Sequence, residues 1–243
     1  MRDPALAQII RPNSENRLLG ALSHEALSAL RPHLKPMCLA RGDVLCGADE
    51  SRRCVYFVES GVASLIIETG GSVVLATVGR EGAVGGPTLL LGGGIAFGRY
   101  QVLVSGSALA MEALQFRIAL REILKLRSLC ETYTQAFFVQ VLQNVACSRL
   151  HTAEQRCARW LLMGDDQTED DTLELAQDSL AAILGVPQLA AEAVASRLLQ
   201  AGVIRLREGL ITVLDRQKLE AAACGCYRIV HDRYERSLVR AHA

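Results

Sequence analysis

The residues best equipped for chemistry are the cysteines, eight in a chain of 243. Cys38, Cys46 and Cys54 recur at every eighth position, and Cys224 and Cys226 flank Gly225 with His231 nearby. A zinc site of thiolates and imidazoles is usually built from two close pairs, each with its own short spacing. One tight pair is evident here and a second is not. The expected state is therefore reduced, mostly buried thiols, since free cysteine behaves as a small hydrophobe. No metal site and no cofactor are expected. Nothing has the pattern of a P-loop, a Ser/His/Asp or Cys/His set, a metal motif or a carboxylate pair, so an enzyme is not expected either.

Composition narrows the remaining classes. Half the residues are hydrophobic, 21% are charged, and 26 basic residues balance 26 acidic ones. That excludes a disordered, collagen-like or strongly basic chain. The length suits one large or two small domains with ample core. Residues 1–150 hold 15 basic and 12 acidic residues, and the rest hold 11 and 14. The acidic excess lies in the back, and the whole molecule has no net attraction to phosphate. The opening Met1-Arg2-Asp3-Pro4 has no export-signal character. The most apolar uncharged run, 132–148, is interrupted by Gln135, Gln140, Gln143 and Asn144, too polar to span a bilayer. A cytoplasmic protein without a membrane partner is expected.

Three kinds of element must position any site. Leu18, Leu19, Leu22, Leu27, Leu30 and Leu34 fall at helical spacing, with a restart at Ser23. Short β-favouring pieces follow at 38–44, 55–58, 63–68, 72–78, 100–104 and 108–114, separated by turn residues. Thr69-Gly70-Gly71 is a hairpin signal, and the ensemble reads as a jelly roll. From Phe116 the chain turns helical, with a short helix over 118–126 and a long one over 129–150. On the long helix Leu129, Tyr133, Phe137, Val141 and Val145 form an i, i+4 stripe, with Phe138 and Leu142 beside it. The stripe predicts a two-helix seam with a second copy of the chain, making a homodimer. The alternative is an ordinary core helix.

After a polar loop at 164–172 come a short helix ending at Gly185 and a second over 187–201. Pro187 suits a first helical turn, where its missing N–H costs nothing. Two helices joined around a glycine have helix-turn-helix spacing. A hairpin at 203–206 and 210–214, turning at Arg207-Glu208-Gly209, follows as a wing. Residues 215–238 read as one closing helix. The predicted fold class is α+β: an N-terminal β-roll or jelly roll (1–127), a long dimerisation helix (128–150) and a C-terminal winged helix-turn-helix (151–243).

In this order the parts resemble the Crp/Fnr superfamily of bacterial transcription regulators, from about Asn16 to Tyr227. The strings that carry the resemblance are Asn16-Arg17-Leu18-Leu19, Leu30-Arg31-Pro32-His33-Leu34, Val55-Tyr56-Phe57-Val58-Glu59-Ser60-Gly61 and Arg159-Trp160-Leu161-Leu162. Further on are Leu180-Ala181-Ala182-Ile183-Leu184-Gly185-Val186, Ala201-Gly202-Val203-Ile204 and 219–227. The resemblance implies a dimeric regulator that binds double-stranded promoter DNA.

It also implies an effector pocket at Gly85, Gly86, Arg99 and Gln101. Members that bind a cyclic nucleotide place a Gly-Glu pair and a later Arg with Ser or Thr there. Here Gly86 stands for the carboxylate that takes the ribose hydroxyls, Arg99 fits the phosphate-binding position, and Gln101 is near the Ser/Thr. The lost carboxylate removes a required acceptor, so cyclic AMP is not the expected effector. A small molecule of other chemistry remains a candidate partner.

By the same resemblance 187–201 is the recognition helix, and the family's Arg-Glu-x-x-x-Arg readers fall on Gln188, Leu189 and Ala193. Neither arginine that would pair with guanine is present, while Gln188 retains the chemistry for adenine. The DNA-binding candidates are Gln188, Glu192, Ser196, Arg197, Arg205 and Arg207. The family's capping Thr is Ala176 here, which removes a phosphate contact. Arg228, His231, Arg233, Arg236 and Arg240 make a basic tail. With so few cations, the alternative function is a descendant that acts through protein partners, using Leu189, Ala190 and Val194 as an apolar face.

Overall fold

A computed structural model describes residues 14–47, 53–68, 70–92, 98–167, 172–174, 177–208 and 210–239. The chain begins with two short helices, α1 (Arg17–Gly20) and α2 (His24–Leu30), then a 3-10 turn. Asn16 pins α1 to the body: its Oδ1 accepts the Leu19 N–H, while its Nδ2 donates to the Val58 and Gly82 carbonyls, both at 2.8 Å. This polar side chain is wholly buried with each amide role satisfied, which is what makes its burial tolerable.

The roll is built from β1 (Lys35–Leu39), β2 (Val44–Cys46), β3 (Cys54–Glu68), β4 (Ser72–Val78), β5 (Ala83–Val84) and β6 (Arg99–Glu112), with the helix α3 (Gly86–Leu90) between the last two. The sheet order is β1-β6-β3-β4, with β2 on β6 and β5 on β3, all antiparallel. Two expected turns prove to be strand interiors. Glu59-Ser60-Gly61 and Ser105-Gly106-Ser107 lie inside the long strands β3 and β6, whose pairing shifts register there. A Cβ on Gly61 would stand 2.5 Å from the Val104 carbonyl oxygen, and one on Gly106 would stand 2.1 Å from that of Ser60. The glycines permit two backbones to approach at bulges and do not reverse the chain.

Helix α4 (Ala113–Glu122) leads into α5 (Leu124–Leu150), which runs 27 residues along the roll. Leu126, Leu129, Cys130, Tyr133, Ala136 and Phe137 of α5 join Phe57, Val84, Tyr100 and Phe116 in the first core. Helix α6 (Ala153–Asp165) starts after a two-residue joint. Its Thr152 cap and Gln155 satisfy each other's backbone N–H groups in a capping box. Then come β7 (Thr172–Glu174), α7 (Gln177–Leu184), α8 (Gln188–Gln200), β8 (Ile204–Arg207) and β9 (Leu210–Val213), with sheet order β7-β9-β8. The second core gathers Trp160, Leu161, Leu184, Val194, Leu198, Ile204, Ile211 and Leu219.

The expected single closing helix is two. α9 (Arg216–Ala222) stops at an extended Ala223, and α10 (Cys226–Val239) starts beyond Gly225. α10 then leaves the C-terminal unit and packs chiefly on α5 and α6. Its Val230, Tyr234 and Leu238 belong to the first core. Arg17 of α1 grips Glu235 of α10 with two hydrogen bonds at 2.7 and 2.8 Å. The last helix thus belongs with the first 150 residues, because its apolar face matches the roll side of α5. Among the described residues, no helix is long and apolar enough to cross a membrane.

Candidate nucleic-acid interface

Helices α7 and α8 are joined by Gly185, Val186 and Pro187. Gly185 takes the left-handed φ of 60° that ends α7, and nothing lies within 4 Å of where its Cβ would be. Its lack of a side chain serves the backbone and not packing. Leu180 and Leu184 of α7 and Ala191, Val194 and Leu198 of α8 are buried against one another and α6. One apolar stripe therefore fixes the angle of the two helices and leaves the other side of α8 open. Val194 is core, so it contributes nothing to an external apolar face. Leu189 is 81% exposed.

The open side of α8 carries Gln188, Glu192, Ala193, Ser196 and Arg197 at helical spacing. Gln188 and Glu192 are half-buried and engage each other, Nε2 donating to Oε1 at 3.1 Å. Arg197 donates from Nε to Glu154 Oε2 on α6 at 2.8 Å. Ser196 is exposed. Arg205 and Arg207 are exposed on β8, and Arg207 stands 3.9 Å from Glu208. All six expected contact residues thus fall on α8 and the wing, although two of the three cations already face a carboxylate. The basic tail residues Arg228, Arg233 and Arg236, with His231, are exposed on α10, which packs on α5 and not chiefly on α7 or α8. Ala176 and Arg240 lie outside the described residues.

The expected effector residues meet only in part. Gly85 and Gly86 are buried where α3 begins. Arg99 and Gln101 do meet, Nη1 donating to Oε1 at 2.7 Å. The other arm of Arg99 donates to Glu68 Oε1 at 2.7 Å. A carboxylate therefore stands where a bound phosphate would need the guanidinium.

The expected dimer stripe is corrected. Leu129, Tyr133 and Phe137 are buried in the chain's own first core and Val141 is half-buried against it. Val145 alone of the five is exposed, at 56%, and it shares an open face with Phe138 at 61% and Leu142 at 54%. Both sides of α5 are apolar, and the roll and α10 take the side with the larger aromatics. The cysteines are free and mostly buried, as expected. Cys224 and Cys226 approach Cys147 and His151, and not His231, whose ring lies 5.7 Å from that of Tyr227.

Residues 155–222 match the family model of the Crp-like helix-turn-helix domain. No curated protein sequence matches the chain. Solved structures share its fold at low identity. The chain is similar to FixK2 from Bradyrhizobium japonicum (15% identity, 79% of this chain and 98% of that one, TM-score 0.64). It is also similar to a putative Crp/Fnr-family transcriptional regulator from Eubacterium rectale (15%, 84% and 96%, 0.63). A third is the c-di-GMP-responsive global regulator CLP from Xanthomonas campestris (14%, 79% and 99%, 0.59). The roll, the long helix and the Crp-like domain thus follow one another as in the fold of Crp/Fnr-type regulators.

Proposed function

We propose that the chain is a homodimeric, cytoplasmic transcription regulator of Crp/Fnr type that binds promoter DNA and does not respond to cyclic AMP. The observation that carries this reading is α8, held by its own core while Gln188, Ser196 and Arg197 stay on its open side. Gln188 has the donor and acceptor pair that adenine requires in the major groove. Ser196, Arg197, Arg205 and Arg207 have the chemistry of phosphate contacts, which position a domain without reading sequence. Dimer formation is supported by Phe138, Leu142 and Val145. Covering each, already close to half-buried, against a copy contributes about 1 kcal/mol before the costs of association. Cyclic AMP is disfavoured by Gly86 in place of a carboxylate and by Glu68 on Arg99.

Fluorescence anisotropy tests this on duplexes from upstream of the protein's own gene and on random duplexes, across salt. Preferred binding of the upstream duplex, with affinity falling as salt rises, is expected. Equal affinity for random duplexes, or no salt dependence, overturns it.

One observation favours a second reading. Leu189 stands exposed where a base reader would be, and Gln188 is bonded to Glu192. That arrangement suits a helix face that meets a protein and not a duplex.

A further inference from the structure

The joint between α5 and α6 brings four metal-binding side chains together. Cys147 lies in the last turn of α5, and His151 caps that helix, its N–H donating to the Cys147 carbonyl. One turn beyond Cys147, the His151 ring is brought to the same side of the helix end. Cys224 and Cys226 come from the turn between α9 and α10. Cys147 Sγ lies 3.5 Å from Cys224 Sγ, and Cys226 Sγ lies 3.5 Å from His151 Nδ1. All four donor atoms fall within 4.8 Å of one another, and the three cysteines are buried.

These distances fit a single ion. A sulfur pair 3.5 Å apart is no disulfide, whose bond is about 2.05 Å. A tetrahedral ion at about 2.3 Å from sulfur and 2.0–2.1 Å from nitrogen sets its donors roughly 3.5–3.8 Å apart. A two-iron cluster would push two of the donors to opposite sides of its core, farther apart than this group allows. Soft thiolates with an imidazole exclude calcium and magnesium and select zinc among common ions.

We propose that Cys147, His151, Cys224 and Cys226 bind one Zn2+ in a closed site of four protein ligands. The ion enters as Zn2+ and the three thiols leave their protons to solvent. No electron moves. Three thiolates and the ion carry one net negative charge, and the buried Arg159 guanidinium, whose field reaches Cys147, offsets it. Gln143 Nε2 donates to Cys226 Sγ at 3.0 Å and orients that ligand.

The placement assigns the ion a role. His151 and Cys224 bracket 152–223, which is the whole helix-turn-helix unit with its wing. One ion therefore clamps both ends of that unit to the base of α5. With the ion bound, the unit holds one angle to the long helix. Without it, the unit is held by the chain at Thr152 and Gly225 and by the packing of Val62, Leu103 and Val104 of the roll into the second core.

The site is tested on full-length protein, reduced, stripped with a chelator and titrated with Zn2+ alone against a chromophoric chelator, with Co2+ in parallel. One equivalent per chain is expected, and Co2+ should show thiolate charge-transfer and tetrahedral d–d bands. Cys224→Ser and His151→Ala should each weaken binding by more than the roughly 10–100-fold that loss of an outer partner such as Gln143 costs. The exposed Cys38 is the control, and Cys38→Ser should change nothing. Should the ligand variants fail to fold, the wild type still decides: Zn2+ must protect three thiols from a thiol reagent and leave Cys38 reactive. Weak or fractional binding, unaltered binding by Cys224→Ser, or no thiol protection overturns the site. None of these readouts involves DNA, so failure here is distinct from failure of the regulator reading.

Discussion

Arg197, the single basic residue of α8, is bound by Glu154 of α6 at 2.8 Å. The one cation of the proposed recognition helix is thus paired within its own chain. Both side chains are about half-exposed, so the pair contributes at most about 1 kcal/mol to stability. Its consequence is for binding. Glu154→Gln should leave the melting temperature nearly unchanged, strengthen duplex binding, and steepen the dependence of log affinity on log salt by about one. Arg197→Ala should weaken binding to all duplexes alike. Anisotropy across salt checks both, and an unaltered slope in Glu154→Gln would place Arg197 outside the interface.

Phe138 and its buried neighbour Phe137 separate assembly from folding. Phe138→Glu should give a folded monomer in sedimentation velocity, since it charges the open face of α5. Phe137→Glu should instead lose cooperative unfolding, because it places an unpaired charge in the first core. A Phe138→Glu protein that sediments as the wild type does refutes the seam.

Cyclic AMP should not stabilise the protein. A ligand bound at a hundred times its Kd adds about 2.7 kcal/mol, and a chain of this size gains about 2–4 °C per kcal/mol. Thermal scans with millimolar cyclic AMP should therefore be superimposable on scans without it. A clear rise, abolished by Arg99→Ala, would restore the nucleotide pocket.

Acid stability should report the Arg17–Glu235 clasp. The paired Arg17 donors hold the Glu235 carboxyl below its ordinary value, against the opposing effect of burial. Its contribution is complete above the unfolded carboxylate pKa and is lost as pH falls through the lower folded value. Glu235→Gln should lower stability near neutral pH by no more than about 1 kcal/mol, given the exposure of both groups. The deficit should vanish in acid. Urea melts at pH 7 and below pH 4 measure it, and a deficit that persists in acid would assign the effect to packing.

The order of elements was open to reading because each rests on near neighbours. Apolar spacing along 188–200, a glycine at 185 and paired β runs at 204–213 announce a helix, a turn and a wing within a few residues. The glycines at 61 and 106 were misleading for the same reason. Locally they look like turns, and their purpose appears only when β3 and β6 pair and their register shifts. Helix α5 was harder still, since Phe137 and Phe138 are both large and apolar. Periodicity identifies the helix but says nothing about which side its own roll will cover.

Residue spacing within short stretches was enough to assign this chain its architecture and to put Gln188, Glu192, Ser196 and Arg197 on α8 and Arg205 and Arg207 on the wing. Pairings across the fold were another matter. Glu154 reaches Arg197 over 43 positions, and Cys147 reaches Cys224 over 77. Such partners meet because packing of the two cores carries α6 against α8 and sets the α9–α10 turn beside the end of α5. Local periodicity records which side chains a helix or strand will bury, and the burial of one element against a distant one settles which donors and charges end up in contact.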